Sequence, residues 1–104
     1  MSELLELSRF RVNEASEDEF LASYPACARA LEDFQGFRGV SLAKLDDATY
    51  VFVGTWAKRE HCEAAMEKAM KIEAISAFLA HISEDISMEY GDLVDVDRSV
   101  ATPA

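Results

Sequence analysis

A handful of side chains in this sequence can do chemistry, and they lie far apart along the chain. Trp56, the only tryptophan, can form a wall that stacks on a flat molecule. Ser8 interrupts an apolar segment and can donate a hydrogen bond to a ligand on its side. His81 flanks an apolar helical stripe and can act as a base near neutral pH. His61 has the same chemistry but reads as a surface residue in the first turn of a helix. Met66, Met70, Phe78 and Met88 can line a soft apolar pocket, and Tyr24 and Tyr50 can point hydroxyls into it. Plain structural roles compete for all of them. Methionines and aromatics fill cores, a lone serine is often satisfied by backbone, and Trp56 can simply close a sheet against a helix.

Several reaction classes lack support. No nucleophile elbow, phosphate-binding glycine loop or dinucleotide fingerprint occurs. Cys27 and Cys62 form no CxxC pair, sit among apolar residues and read as reduced, buried thiols. They have no zinc-ligand spacing with His61 and His81, so no metal is expected. Twenty acidic residues against ten basic ones give a net charge of -10. That field repels nucleic acid and anionic membranes, so neither is an expected partner. No apolar run approaches the roughly 18 residues of a membrane span, and the start lacks a secretory pattern. Cytoplasmic residence is the expectation.

Positioning these side chains falls to six or seven elements. A strand over Leu4–Val12 puts Leu4, Glu6, Ser8, Phe10 and Val12 on one face and Leu5, Leu7, Arg9 and Arg11 on the other. Arg9 and Arg11 are placed to pair with carboxylates of a partner, such as Glu89 or Asp95. Ser16 opens a helix, with Glu19 at capping-box spacing and Glu17, Asp18 and Glu19 facing the positive end of its dipole. Phe20, Tyr24, Cys27, Leu31 and Phe34 make its apolar stripe, and Pro25 should kink it. Gly36 suits the left-handed position just past its end.

Phe37–Leu45 and Thr49–Trp56 read as a hairpin turned at Asp46-Asp47. A second helix spans Lys58 to about Met70, with Cys62, Ala65, Met66, Ala69 and Met70 inward. A shorter helix carries Ile75, Phe78, Leu79 and Ile82, and the last strand runs Ile86–Val96, bent at Gly91. The order is β-α-β-β-α-(α)-β. It predicts an α+β, ferredoxin-like split βαβ with a four-stranded antiparallel sheet and helices on one face. One domain over residues 1–97 and a loose tail over 98–104 follow.

The helix-free face of that sheet predicts assembly. Val51 and Val53, with Val40 and Leu42 from the neighbouring strand, are expected on it. Each such side chain left in water forfeits roughly 1.5–3 kcal/mol. A homodimer stacked sheet to sheet covers them.

Three stretches carry a resemblance: Gln35-Gly36-Phe37-Arg38-Gly39, Tyr50 through Trp56, and Ala57-Lys58-Arg59-Glu60. Through them the chain resembles the antibiotic biosynthesis monooxygenase superfamily of dimeric α/β-barrel proteins, over roughly Leu4 to Val96. The resemblance implies a pocket between sheet and helices and a cofactor-independent monooxygenase acting on a phenolic, quinol or other aromatic molecule. On this reading the catalytic candidates are Trp56, Ser8 and His81, and the candidates for substrate contact are Phe52, Tyr24, Met66, Met70 and Phe78. The haem-degrading branch has an asparagine in strand one, a tryptophan ending strand three and a histidine in the next helix. Only Trp56 matches it; Ser8 and Met66 stand at or near the other two positions. Haem degradation is therefore disfavoured, and no cofactor is expected. A non-enzymatic ligand-binding or stress-related dimer on the same scaffold is the alternative. A cavity beside Trp56 holding buried polar groups favours an enzyme; one filled by Met66, Met70 and Phe78 favours the alternative.

Overall fold

The computed structural model describes residues 3–94. The expected tail over 98–104, and Asp95 and Val96, lie outside the described residues. The elements are β1 (Leu4–Val12), α1 (Glu17–Leu31), β2 (Phe37–Asp46), β3 (Thr49–Trp56), α2 (Arg59–Ala69), α3 (Glu73–Leu79) and β4 (Ile82–Asp92). One four-stranded sheet has the order β2-β3-β1-β4, with every neighbouring pair antiparallel. This is the α+β ferredoxin-like arrangement. No described helix is long and apolar enough to cross a membrane.

Strand alternation sorts β1 as expected. Leu4, Phe10 and Val12 are buried under the helices, Glu6 is buried among them, and Arg9 and Arg11 are exposed. The main core joins Phe10 and Tyr50 from the sheet to Phe20, Cys27, Ile75 and Phe78 from the helices. A smaller cluster of Leu4, Trp56, Cys62 and Ala65 closes the other end. Phe34 and Phe37 pack against both. Aromatic contacts knit the main core: Phe20 stacks on Phe78 at 4.6 Å between centroids and tilts on Tyr50 at 4.9 Å. Such pairs add roughly 0.5–1.5 kcal/mol beyond buried area.

Bulges explain where the sequence reading went astray. In β2, Phe37 pairs with Trp56 but Gly39 pairs with Thr55, so Arg38 is an extra residue. One inserted residue reverses the facing of everything after it. Val40 and Leu42 therefore oppose Gly54 and Phe52 and point to the helix side, not to the open face. Leu42 packs on the main core. The open face instead carries Leu5, Leu7, Val51 and Val53, all half-buried, with Leu7 directly opposite Val53.

In β4, Ile86 and Ser83 are skipped where the register against β1 shifts. The irregularity is there and not at Gly91, which pairs regularly with Leu5. This strand starts at Ile82, four residues earlier than expected, because Ile82 pairs with Val12. Its acidic stretch Glu84-Asp85 resembles a turn in sequence. It is tolerated because β4 is an edge strand, where charge discourages further pairing.

Helix ends also differ from expectation. Ser16 makes no side-chain cap to α1. A 3-10 turn over Glu14–Ser16 precedes the helix, capped by the Asn13 side chain, which accepts from the Ala15 amide at 3.0 Å. The Ser16 hydroxyl turns away and donates to the Asn13 carbonyl at 3.3 Å. The acidic first turn and the interior Pro25 are present. Gly36 has φ 82°, as expected of a left-handed glycine. It lies five residues past α1, in a turn closed by the Phe37 amide on the Phe34 carbonyl at 3.3 Å. A positive φ at the third position of such a turn calls for glycine. Helices α2 and α3 are separate, with Ile72 extended between them. The β2–β3 hairpin turns at Asp47-Ala48, where Ala48 is buried at φ 57°.

Candidate functional site

Between the sheet and the helices lies a cavity of about 140 Å³, open to solvent on one side. The alternation of β1 brings Glu6 and Ser8 to it, and β3 brings Phe52 and Trp56. Met66 comes from α2, Phe78 from α3 and Met88 from β4. Its lining is almost wholly apolar, and Glu6 is the one charged side chain along it among the described residues.

Glu6 is 8 % exposed, and burying a carboxylate demands donors. Two are supplied to the same oxygen. The Trp56 indole N–H donates to Glu6 Oε1 at 3.0 Å, and the Cys62 thiol donates to it at 3.8 Å. Burial pushes the Cys62 thiol up to about 12, and the Glu6 charge and hydrogen bond push the same way. The sulfur therefore keeps its proton and can donate. Gly54, opposite Glu6, leaves room for this carboxylate, since a Cβ there would stand 3.1 Å from Glu6 Oε1. The other oxygen, Oε2, receives no hydrogen bond from a described residue, nor is it among the sealed polar atoms without a partner.

Trp56 is 3 % exposed and fixed by more than its hydrogen bond, with Phe37 edge-on at 5.3 Å. At the rim, the Tyr90 hydroxyl lies 3.3 Å from Met66 Sδ and 3.1 Å from Met88 Sδ. The Arg59 guanidinium sits 5.5 Å over the Tyr90 ring. Burial, and then the Glu6 charge, raise the Tyr90 phenol above its ordinary value.

Of the residues singled out by sequence, Trp56, Ser8, Phe52, Met66, Phe78 and Met88 meet at this cavity. Tyr50 is instead buried in the main core with its hydroxyl donating to Glu17, and His81, Tyr24 and Met70 also lie elsewhere. His81 lies on the far side of Phe20, its Nδ1 3.2 Å from Ser16 Oγ and its ring 6.3 Å from that of Phe20. Because β4 begins at Ile82, His81 belongs to the turn after α3, whose cavity-lining residues are Ile75, Phe78 and Leu79. Tyr24 tilts on Phe78 but lines a surface groove between α1 and β2. Met70 follows the end of α2 and is 62 % exposed. His61 is half-buried rather than on the surface, and its Nδ1 is buried without a partner. Arg11 donates to the Asp47 carbonyl at 3.5 Å. Sequence reasoning passed over Glu6. Its signal was an acid at an inward position of β1, between Leu4 and Phe10.

These features define a class: a small ferredoxin-like α+β domain with an apolar, carboxylate-floored chamber between helices and sheet. The chain belongs to the antibiotic biosynthesis monooxygenase family, whose model matches residues 5–82. Solved structures share the fold. One is a Bordetella bronchiseptica protein provisionally assigned as an antibiotic biosynthesis monooxygenase. It is 16 % identical with a TM-score of 0.77, over 90 % of this chain and 99 % of that one. Another is SnoaB, a cofactor-independent oxygenase from Streptomyces nogalater, 20 % identical with a TM-score of 0.66, over 93 % and 96 %. A conserved Methanosarcina mazei protein is 7 % identical with a TM-score of 0.66, over 89 % and 92 %. Among curated proteins none matches the chain.

Proposed function

We propose that this protein is a cofactor-independent monooxygenase of a phenolic or quinol molecule, working as a cytoplasmic homodimer. The observation that carries the reading is the cavity itself: an apolar chamber beside Trp56, holding Glu6 and Ser8, in a chain of this family. The likeness of fold to SnoaB, an oxygenase without a cofactor, supports it. Phe52 and Trp56 form the wall against the ring, and Ser8 polarises the hydroxyl. In such a reaction the electron-rich phenolate gives four electrons to dioxygen. One oxygen atom enters the ring as a carbonyl. The other leaves as water, taking the hydroxyl proton and the displaced ring hydrogen, and the ring ends as a quinone. The protein's task is to orient the ring and exclude water.

The dimer reading rests on Leu5, Leu7, Val51 and Val53, apolar side chains on the face opposite the helices. Two unpaired thiols, Cys27 and Cys62, support a reducing compartment.

The test is oxygen uptake with a panel of phenols and hydroquinones, with mass analysis of the quinone after reaction in labelled dioxygen. Incorporation of one labelled atom, depressed in Ser8→Ala and Trp56→Phe, is expected. Uptake no faster than the protein-free blank across the panel overturns the proposal.

A further inference from the structure

We propose that Glu6 sets the ligand class of this cavity, holding a single-ring phenol by its hydroxyl and, in turnover, taking that hydroxyl's proton. The proton step rests on the oxygenase reading above; the recognition step rests on the cavity alone.

Size comes first. A dry apolar cavity of roughly 150 Å³ holds one benzene ring. The chamber here is about 140 Å³, so one ring fits while Met66 and Met88 stay at its rim. Polarity comes second. Trp56 and Cys62 both donate to Oε1, which leaves Oε2 as the lone-pair donor available to a ligand on a side chain more than nine-tenths buried. An ionised carboxylate only accepts hydrogen bonds. A ligand that buries Oε2 without an O–H or N–H leaves it unpaired, and such losses reject analogues strongly.

Ser8 and the apolar lining together decide between the two kinds of donor. Its hydroxyl lines the same chamber, two residues along the same face of β1, and can both donate and accept. A phenolic oxygen donates to Glu6 and accepts from Ser8. An ammonium can only donate, to Glu6 and to Ser8 alike, and entering an almost wholly apolar chamber costs its charge more hydration than a neutral phenol loses. In the proton step the substrate O–H bond breaks and an O–H bond forms on Glu6 Oε2. The pair of electrons stays on the substrate oxygen, and no oxidation state changes until dioxygen reacts.

The experiment is calorimetric titration of the intact protein with phenol, anisole and benzylamine, followed by the same titrations of Glu6→Gln. Phenol should bind at least about tenfold tighter than anisole, the ratio that 1.4 kcal/mol represents. The Gln amide must turn its oxygen to Trp56, which presents its NH2 group to the ligand. The preference for phenol over anisole should then fall to within about threefold, because the ether oxygen of anisole accepts from that NH2 group; anisole binding at least as tight as in the native protein is the check that the chamber is intact. Hydroquinone turnover in Glu6→Gln should fall at least about a hundredfold, as expected for loss of a positioned base. If the native protein binds phenol and anisole equally, or benzylamine best, the recognition step is overturned without any variant. If Glu6→Gln turns over at the native rate, the proton step is overturned and the oxygenase reading survives. If the native protein prefers phenol but consumes no oxygen with any phenol, the oxygenase reading and its proton step fall while the recognition step stands.

Discussion

Gly36 and His61 share one corner of the molecule so closely that a Cβ on Gly36 would overlap the His61 ring. Gly36 also has φ 82°, and its carbonyl accepts from the Ala57 amide at 2.7 Å. The turn before β2 is thereby tied to the start of α2. Gly36→Ala should destabilise the fold by more than the roughly 1–2 kcal/mol of left-handed backbone alone. His61→Ala should return part of that loss, so the double-mutant cycle is non-additive by at least about 0.5 kcal/mol. Urea unfolding of the four proteins measures it, and additive effects would show that the ring does not press on this corner.

Trp56→Phe removes the N–H that donates to Glu6 Oε1 and leaves only the distant Cys62 thiol. A buried carboxylate that loses a donor costs about 1–3 kcal/mol. Trp56→Phe combined with Glu6→Gln should cost less than the sum of the two, since the charge that needed the donor has gone. Denaturation midpoints of the three variants check this.

Leu7 and Val53 face each other on the side of the sheet opposite the helices. Leu7→Glu and Val53→Lys should each convert a dimer to monomer while leaving the helical core, and hence the circular dichroism spectrum, in place. Sedimentation velocity at micromolar concentration reads the outcome. A native protein that already sediments as a monomer would end the dimer proposal.

Both thiols should be slow to react in the native state. Burial pushes Cys27 up to about 11, and burial with the Glu6 charge pushes Cys62 up to about 12. Against an ordinary thiol near pKa ~8.5, labelling at pH 8 should be slower by about two powers of ten or more. Colorimetric thiol titration should find two fast thiols only after unfolding. Rapid labelling of the folded protein would contradict the burial.

Alkali should unfold the protein partly through Tyr50. Burial, and next its hydrogen bond to Glu17, push this phenol up to about 12. The unfolded phenol titrates near ~10, so the unfolded state loses its proton first. The contribution is complete below about pH 10 and falls away as pH rises toward about 12. Glu17 behaves oppositely. Its bond to Lys44, 2.6 Å away, and then its bond to Tyr50 lower it. Its contribution is present above the ordinary carboxyl range and is lost as acid protonates it. Tyr50→Phe should flatten the fall in urea midpoint between pH 9.5 and 11.5, both pH values chosen about the ordinary phenol value of ~10. An unchanged slope would exclude Tyr50 as the titrating group.

Strand and helix periodicity made the element order, the inward face of β1 and most cavity residues readable from sequence. What could not be read was register. A single extra residue at Arg38 leaves no mark in composition yet moves Val40 and Leu42 to the other face. The early start of β4 is hidden for a related reason: Ile82 is recruited by Val12 across the sheet, while the local sequence Ser83-Glu84-Asp85 favours a turn. His81 was misplaced with it. Glu6 was legible in position but not in meaning, because its importance depends on a tryptophan fifty residues away that donates to it.

The bond between Trp56 and Glu6 also gives the chain an internal optical probe. As the sole indole, Trp56 is the source of all the tryptophan emission, and it is bonded to the charge on the chamber floor. Occupancy, neutralisation of the carboxylate and entry of water should each change its colour or brightness, so events in the chamber can be followed in real time without attaching a dye.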